Sequence, residues 1–326
     1  MESTETLAGL APGVTVGSAG SDSALVAPAT IDVVVVAYNS SDTLRACVEP
    51  LTQLPWVAVT VVDNACPENS ARVVEDLPVR VVRSPRNGGF AYGCNLGIAT
   101  GSAEFVLLLN PDAQIDAANV AALVGALNAD PSLAGVGPRT VDDFGGLIFT
   151  QRRFPRLRST YAQCLFLHRA APGATWADEK MRDLDAYDRP GTPEWISGCC
   201  VLLRRDALAS VGGLDEGFFL YLEETDLFKR LTTAGWRVGY EPRATASHVG
   251  YQSADRNATE PILAASRVRY ARKHHGRLVA VLEAAAVTMG AFARAAVWIR
   301  RPARARGHLL AARAALRAGR STGATT

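Results

Sequence analysis

VLLLNPDA, from Val106 to Ala113, is the stretch that decides the fold, because a fully apolar strand ends there on a carboxylate. Such a strand is typical of a parallel sheet that is covered on both faces. Ligands bind beyond the carboxyl ends of these strands, so we expect Asp112 to face a ligand. A carboxylate placed there can hold a divalent cation whose other ligands are phosphate oxygens and water.

Two earlier segments repeat this arrangement. IDVVVVAYN ends on Tyr38 and Asn39, and VAVTVVDNA ends on Asp63 and Asn64. Parallel strands of a doubly wound sheet bring their carboxyl ends to one edge. The three segments together therefore predict a pocket that is lined by polar groups.

Strands and helices alternate along the first half of the chain, which predicts an α/β fold with a Rossmann-like, mostly parallel central sheet flanked by helices. The predicted strands there are 31–37, 57–62, 79–82 and 105–109, and the predicted helices are 41–54, 68–76, 89–100 and 117–129. Residues 144–193 show no clear periodicity. Around them the sequence predicts strands at 135–139, 195–204 and 237–240, a helix at 223–234 and further helices from residue 262.

The composition describes a folded globular protein, since 48% of the 326 residues are hydrophobic. The six cysteines show no metal-ligand spacing, which favours reduced thiols in the cytosol over a disulfide or zinc role. The net charge is only +2, but thirteen basic residues and one acid follow residue 266. This basic segment indicates an anionic partner, and its lack of interleaved aromatic residues favours a membrane surface over nucleic acid.

Three segments follow from these patterns: a disordered leader over 1–30, a folded α/β domain over 31–265 and a basic amphipathic helical tail over 266–326. The leader lacks the basic and apolar regions of a secretory signal. Residues 278–299 are the most membrane-like stretch, but Glu283 and Arg294 interrupt them. We expect this stretch to lie on a membrane rather than cross it, the alternative being a helix packed on the α/β domain with a solvated basic face.

RNGGFAYGCN, residues 86–95, is a second group with chemical meaning. Gly88 and Gly89 precede a helix start, where backbone donors can approach a ligand closely, and Arg86 could reach a phosphate or base. An ordinary strand-to-helix turn explains the glycine pair equally well. Its position between Asp63 and Asp112 in the strand-end series favours a binding role.

GFFLYLEETDL, residues 217–227, is the third group. Glu223, Glu224 and Asp226 follow an aromatic segment, where desolvation and like charge can raise the pKa of a carboxyl group and make it a usable base. The alternative is a helix start whose acids complement the macrodipole. His248 follows later, either as a structural residue or as a neutral imidazole suited to a divalent metal.

Taken together and in this order, seven motifs resemble the family 2 glycosyltransferases of the GT-A fold, especially their bacterial rhamnosyltransferase-like members. The resemblance runs from about residue 31 to 253 and rests on AYN, VVDNA, RNGGFAYGCN, LLLNPDA, WISGCC, FFLYLEETDL and His248. It implies a GT-A domain with a C-terminal helical extension.

The resemblance also assigns a nucleotide-sugar donor site. The implied donor-binding residues are Ala37, Tyr38, Asn39, Asp63, Asn64, Arg86, Asn87, Gly89, Phe90, Asn95, Asn110 and Asp112. Asp112 matches the last aspartate of the family's metal-binding DxD motif, and Asn110 stands at the first position. Asp112 and His248 are the implied ligands of Mg²⁺ or Mn²⁺.

For catalysis, the resemblance implies a single displacement with inversion at the anomeric carbon. The family usually has Glu-Asp in the acidic motif, with the Asp as base; here that position is Glu224, whose arm is one methylene longer. Glu223 and Asp226 are the substitutes. The implied acceptor and sugar side consists of Trp195, Ser197, Gly198 and Glu223.

The implied donor is dTDP-L-rhamnose, with UDP-sugars second, and the implied acceptor is a polyprenyl-linked or cell-envelope glycan. The predicted location is cytoplasmic, on the inner face of the plasma membrane, and the sequence leaves a homo-oligomer open. A nucleotidyltransferase would need a lysine-bearing glycine-rich loop, which we do not find near the N-terminus. A non-catalytic nucleotide-sugar-binding protein would keep Asp63 and Asp112 but tolerate the loss of Glu224.

Overall fold

A ten-stranded mixed sheet is the centre of the computed structural model, which describes residues 15–16, 30–170, 174–249 and 256–320. A separate two-stranded sheet pairs Gln151–Arg152 with Trp195–Ile196. Along the chain the strands are β1 (Thr15–Val16), β2 (Ile31–Ala37), β3 (Val57–Asp63), β4 (Arg80–Arg83), β5 (Phe105–Leu109), β6 (Ala113–Gln114), β7 (Leu133–Val141), β8 (Leu147–Ile148), β9 (Gln151–Arg152), β10 (Trp195–Ile196), β11 (Cys200–Arg204) and β12 (Arg237–His248).

Helices flank the sheet and continue into the C-terminal region. The α-helices are α1 (Ser41–Val48), α2 (Phe90–Ile98), α3 (Ala117–Ala129), α4 (Leu157–Cys164), α5 (Leu167–Ala170), α6 (Arg205–Ser210), α7 (Glu223–Thr233), α8 (Arg256–Val297) and α9 (Pro302–Arg320). Short 3₁₀ segments occupy Leu51–Gln53, Ser70–Val74 and Leu184–Tyr187.

The main sheet has the strand order β1-β4-β3-β2-β5-β11-β7-β12-β6, and β8 pairs with β7. Strands β4, β3, β2 and β5 run parallel, as the alternating first half predicts. Strand β11 lies antiparallel between β5 and β7, and β7 and β12 run parallel again. The α/β prediction is confirmed, and the second half makes the sheet mixed.

Hydrophobic cores cover both faces of the sheet. All seven residues of β2 and all five of β5 are buried. Side chains alternate between faces in a strand, so Val33 and Val35 join one core while Val34 and Val36 join the other. This burial on both faces explains why these strands are continuous apolar runs.

Several predicted elements have different bounds in the structure. The strand predicted at 195–204 is two strands, because residues 197–199 leave the small sheet to join the large one. The helix predicted at 41–54 ends at Val48, two residues before Pro50, and residues 68–76 contain only a 3₁₀ segment. Strand β12 continues to His248, eight residues beyond its predicted end, after an irregularity between Glu241 and Thr245.

The leader predicted over 1–30 lies mostly outside the described residues. Thr15 and Val16 are described, and they pair antiparallel with β4.

The C-terminal helices form an alanine-rich core of their own. Ala284 and Ala291 of α8 and Ala312 of α9 belong to this buried cluster. Helix α8 runs through the boundary predicted at 265, and its backbone departs from helical geometry at Gly276, with φ 87° and ψ 177°. By length and composition, residues Ala258–Val297 could cross a membrane, but 44% of their most apolar window is buried inside the protein.

Glu283, the acid that interrupts the apolar stretch, is buried in this core. Arg267 donates to it at 2.9 Å and Thr160 at 3.0 Å. Arg267 also pairs with Glu179 at 2.7 Å, so this basic residue joins the tail to the segment around α4.

Candidate active site

The ends of β2 and β3 lie side by side at one edge of the sheet. Ala37 and Asp63 are paired in register, and the backbone N–H of Asn64 donates to the carbonyl of Ala37 at 3.1 Å. Tyr38 is half-buried and Asn39 is exposed just beyond β2. These five predicted donor-binding residues therefore form one continuous edge.

Cys66 connects the two strand ends. Its backbone N–H donates to Asp63 Oδ1 at 2.9 Å, and its thiol accepts from the backbone N–H of Asn39 at 3.2 Å. Burial alone would raise the pKa of this thiol, but hydrogen bonds from Ser70 and Asn39 hold it below its usual range. Asp63 Oδ2 has no hydrogen-bond partner among the described residues and is available to a ligand.

Asn64 holds the Gly88–Gly89 turn. Its side-chain amide donates to Asn87 Oδ1 at 3.0 Å and to the Gly89 carbonyl at 3.1 Å, and it accepts from the Gly88 N–H at 3.3 Å. Asn64 therefore shapes the site by positioning this turn, since its amide is used within the protein.

The glycine turn packs against the segment that leads into α7. Phe90 donates its backbone N–H to the Phe219 carbonyl at 2.8 Å. Gly89 has φ 89°, and a Cβ there would lie 2.1 Å from the same carbonyl oxygen, so the position requires glycine. Arg86 is exposed, with its guanidinium 4.5 Å from the centre of the Tyr92 ring.

Asn95 forms its side-chain hydrogen bonds within the protein. Its amide donates to the Leu214 carbonyl at 2.9 Å and to Glu216 at 3.0 Å, and it accepts from the Leu214 N–H at 3.0 Å. These hydrogen bonds hold the turn after α6, so the structure shows the Asn95 amide positioning that turn, and its role in donor binding stays a prediction.

Asp112 and His248 meet at the end of the sheet. The extension of β12 pairs His248 with Ala113 in register, which places His248 Nε2 3.1 Å from Asp112 Oδ1. Asp112 is 7% exposed. Two ligand atoms bound at right angles to a metal at about 2.1 Å lie about 3 Å apart, so the pair has a suitable spacing for one cation. No group of three or more His, Cys, Asp or Glu side chains gathers anywhere in the described ranges, so other ligands must come from elsewhere.

The loop between β10 and β11, residues 197–199, connects the two sides of the site. At one end the backbone N–H of Asn110 donates to the Cys199 carbonyl at 2.9 Å. At the other end the backbone N–H of Ser197 donates to the Thr150 carbonyl at 3.1 Å. Gly198 lies between them against Glu224, since a Cβ at Gly198 would be 3.5 Å from Glu224 Cβ.

Glu223, which is buried, and Glu224, which is half-buried, begin α7 after two residues with left-handed backbone, Tyr221 and Leu222. Burial raises the pKa of Glu223 well above its ordinary value, and the charge of Glu224 raises it further. Burial also raises the pKa of Glu224, although backbone donors, including that of Gly198, oppose the rise. The Oε2 atoms of both residues are buried and have no hydrogen-bond partner in the described part of the chain.

Asp226, predicted as a substitute base, is fully buried and ion-paired. It accepts from Arg230, Lys273 and His274, each at 2.7 Å. Burial alone would raise its pKa, but hydrogen bonds from His274 and Lys273 and the charge of Arg230 bring it below the usual range. A carboxylate held in this way cannot take a proton from an acceptor, so this prediction is wrong.

Trp195 is a structural support of the same loop. It is 7% exposed, and its indole N–H donates to the Arg153 carbonyl at 2.9 Å. Its outer ring lies 5.6 Å from the guanidinium of Arg152.

Lys273 and His274 of α8 carry no predicted role in the site, and the structure places both against Asp226. Nothing in their local sequence indicates this contact, because they are 47 and 48 residues away along the chain. Only the packing of α8 on α7 brings them together.

The arrangement combines two chemical capacities that both adjoin the 197–199 loop. Asp112 and His248 can hold a cation near phosphate oxygens, while Glu224 and Glu223 are carboxylates that can accept a proton. The strand edge from Ala37 to Asn64 extends from the first of these.

Comparison with known proteins gives consistent results. The family described as Glycosyl transferase family 2 matches residues 32–212. The chain is 30% identical over 266 residues to the N-acetylglucosaminyl-diphospho-decaprenol L-rhamnosyltransferase of Mycobacterium tuberculosis, an alignment that covers 76% of this chain and 85% of that protein. It is 28% identical over 218 residues to the galactofuranosyltransferase GlfT1 of the same organism, covering 63% of this chain and 66% of the relative.

Among solved structures, the chain is similar to the mannosyltransferase PcManGT from Pyrobaculum calidifontis in complex with GDP-Man and Mn²⁺. The TM-score is 0.51 at 17% identity, covering 90% of this chain and 88% of that one. At this identity the likeness concerns the fold, and it confirms the predicted GT-A architecture.

Proposed function

The chain belongs to glycosyl transferase family 2 and is a glycosyltransferase, and from this premise we propose that it transfers L-rhamnose from dTDP-rhamnose to a polyprenyl-diphosphate-linked glycan. One observation carries the chemistry: the Glu223–Glu224 pair has unpartnered buried oxygens and adjoins the 197–199 loop, as the Asp112–His248 pair does. The rhamnosyl donor and the lipid-linked acceptor are supported by the name of the mycobacterial relative.

Glu224 acts as the general base in a single displacement with inversion. It removes the proton from an acceptor hydroxyl while that oxygen bonds to the anomeric carbon and the bond to the donor diphosphate breaks. Its raised pKa suits this task, because a carboxylate with too low a pKa is a weak proton acceptor. General-base assistance of this type contributes about 10²–10⁴-fold to the rate.

Asp112 and His248 would hold a Mg²⁺ or Mn²⁺ ion together with the donor diphosphate and water. Their 3.1 Å spacing and their oxygen and nitrogen donors fit this use. The ion supplies charge stabilisation for the departing nucleoside diphosphate. The backbone N–H of Asn110 joins the turn before Asp112 to the 197–199 loop through its hydrogen bond to the Cys199 carbonyl.

The remaining predicted donor residues divide into two roles. Asp63 has a free oxygen at the strand edge and binds the base or ribose, with Tyr38 and Arg86 beside it. Asn64, Asn87 and Gly89 shape the turn whose backbone approaches the phosphates.

The donor is tested by measuring product formation with dTDP-rhamnose and with UDP-glucose, each with an N-acetylglucosaminyl-diphospho-polyprenol and Mn²⁺. Transfer from dTDP-rhamnose alone supports the full proposal, and transfer from the UDP-sugar alone replaces the donor. A thermal-shift series with dTDP and UDP, with and without Mn²⁺, measures binding without turnover. If neither nucleotide raises the melting temperature, the strand edge is not a donor site.

We also propose that the tail docks on an anionic membrane surface on the cytoplasmic side. Exposed apolar side chains form one face of α8 after Gly276, at Leu278, Leu282, Met289 and Phe292, and the exposed Ile299 follows the end of the helix. The exposed arginines Arg277 and Arg300 lie at the two ends of this face. Apolar contact combined with flanking positive charge is what an interfacial helix presents to anionic lipid.

Co-sedimentation with vesicles tests the docking. We expect binding to phosphatidylcholine vesicles only when anionic phosphatidylglycerol is added, with weaker binding at high salt. Phe292→Asp should abolish it, while Leu263→Asp, which changes an exposed leucine of α8 before Gly276, should not. A dimer that Phe292→Asp dissociates, with no vesicle binding, would instead assign this face to a second copy of the chain.

A further inference from the structure

Arg152 lies beside the strand that leads into the 197–199 loop, and its guanidinium has no ion-pair partner in the described part of the chain. It lies on β9, directly opposite Trp195 of β10, and its guanidinium is 5.6 Å from the Trp195 ring. Its Nε is buried without a hydrogen-bond partner, and the side chain forms no ion pair within the described part of the chain.

Neighbouring arginines are paired. Arg156 lies 2.6 Å from Glu194, and Arg182 lies 2.7 Å from Asp178. Arg153 points to the other face of β9, towards the Lys180 carbonyl at 3.5 Å. Arg152 has no carboxylate within ion-pair distance in the described part of the chain, and its buried Nε lacks a hydrogen-bond acceptor, which is unfavourable for a partly buried guanidinium. These two features together indicate an anionic partner from outside the chain.

The position of Arg152 is fixed by its neighbours. The phenol oxygen of Tyr187 accepts a hydrogen bond from the backbone N–H of Gln151 at 2.9 Å, and the Gln151 side chain donates to the Ala186 carbonyl at 2.8 Å. The indole of Trp195 binds the Arg153 carbonyl. The strand that carries Arg152 is therefore anchored on both sides, which suits a binding residue.

Arg152 also lies close enough to Glu224, the proposed base, for its positive charge to oppose the rise in the pKa of that carboxyl group. Strand β10 passes directly from the partner of Arg152 into Ser197 and Gly198, which reach Glu224. Asp112, by contrast, adjoins the other end of the 197–199 loop through Asn110. Arg152 thus adjoins the Ser197 end of this loop, and Asp112 adjoins the Cys199 end.

We propose that Arg152 binds the diphosphate of the lipid-linked acceptor and so positions the acceptor hydroxyl at Glu224. This inference rests on the proposed function, because it takes the acceptor to be a sugar on a polyprenyl diphosphate. A guanidinium fits the ligand, since its planar fork can donate two parallel hydrogen bonds to phosphate oxygens. One sugar ring would then separate the bound diphosphate from the hydroxyl that loses its proton.

Calorimetry with the full chain measures this role without turnover. The probe is N-acetylglucosaminyl-diphospho-farnesol, titrated into wild type, Arg152→Gln and Arg152→Lys. We expect Arg152→Gln to weaken binding about 10- to 100-fold and Arg152→Lys to fall between, because lysine keeps the charge but loses the fork. Arg182→Gln, which removes a paired arginine of the same region, should bind as wild type does.

Kinetic measurements separate a role of Arg152 in positioning the acceptor from a general effect of its substitution on the fold. With the active donor, Arg152→Gln should raise the acceptor KM by the same factor while leaving the donor KM and the melting temperature unchanged. For an octyl glycoside of N-acetylglucosamine, which has no diphosphate, the KM should be the same for wild type and Arg152→Gln, whatever change in kcat follows from removing the charge that acts on Glu224.

Equal binding of the farnesyl probe by wild type and Arg152→Gln would overturn the inference, as would a rise in the donor KM instead. If the wild-type protein binds the probe through Arg152 but transfers no sugar to any polyprenyl acceptor, the proposed function fails and the diphosphate site remains. If it transfers sugar and Arg152→Gln changes nothing, the function remains and the site is rejected.

Discussion

Two sides of α7 contrast within a single helical turn: the side that meets the 197–199 loop, which carries Glu223 and Glu224, and the side that meets the C-terminal helix α8 (the tail side), which carries Asp226. Glu223 is buried and Glu224 is half-buried, each has a buried carboxylate oxygen without a partner in the described part of the chain, and their pKa values are raised. Asp226 is fully buried, but three cationic or hydrogen-bonding side chains hold it and its pKa is lowered. Burial alone therefore does not decide the protonation of these groups. The carboxylate that we propose as the base lacks a partner for one oxygen, whereas the one that joins two parts of the fold is surrounded by partners.

The largest expected effect is the loss of the base. Glu224→Gln should reduce transfer about 10²–10⁴-fold, because the amide cannot accept the acceptor proton, while nucleotide binding stays unchanged. Turnover at saturating substrates and a thermal shift with the donor nucleotide measure the two properties.

Glu224→Asp is the matched control, since it keeps the carboxylate and shortens the arm to the length usual in the family. It should retain more activity than Glu224→Gln. If Glu224→Gln turns over as fast as wild type, Glu224 is not the general base. The difference between Glu224 and Asp226 would then have no role in catalysis.

The next effect is on stability and concerns Asp226. Asp226→Asn should destabilise the fold by roughly 3 kcal/mol, at the low end of the range for breaking a buried ion pair, because Lys273 can turn partly to solvent. Urea unfolding monitored at neutral pH measures this change. Since the folded pKa of Asp226 is lowered, its stabilisation is present above the unfolded value and is lost as the pH falls through the folded one.

The difference in unfolding free energy between wild type and Asp226→Asn should therefore become smaller as the pH is lowered. A difference that stays constant from pH 7 to pH 3 would show that the ionised carboxylate is not what holds α7 to the tail.

Glu223 should show the opposite sign. Its folded pKa is raised, so the stability linked to its protonation is present below the unfolded pKa and is lost as the pH rises through the folded one. Glu223→Gln removes this titration and should be more stable than wild type at pH 8, by about 1–2 kcal/mol, with the gain disappearing near pH 4. Melting temperatures across this range measure the gain, and a Glu223→Gln variant that is less stable at pH 8 would contradict it.

The regions also differ in how far sequence predicted them. The strand-end site follows from local patterns: apolar runs fix β2, β3 and β5, and each ends on a residue that the sheet brings to one edge. The same pattern is nearly sufficient to predict the position of Asp112. Burial of the Glu223–Glu224 pair was also foreseeable, because the aromatic segment before it predicts desolvation.

The tail side was not predictable in this way, because its contacts join residues that are far apart in the chain. Lys273 and His274 meet Asp226 only once α8 packs on α7. His248 reaches Asp112 only because β12 continues past an irregularity that no periodic pattern indicates. Asn95 illustrates the same limit, since no local pattern indicates its partners at 214–216.

The smallest effect isolates one contact of the tail side. His274→Gln should destabilise the fold by about 1–2 kcal/mol, because it removes one of the hydrogen bonds to the buried Asp226 carboxylate while Arg230 and Lys273 remain. His275→Gln is the control, since His275 contacts the same Tyr270 ring but does not contact Asp226. Urea unfolding should separate the two variants. If they are equally stable, the ion pairs alone hold Asp226, and the imidazole of His274 serves only to pack on Tyr270.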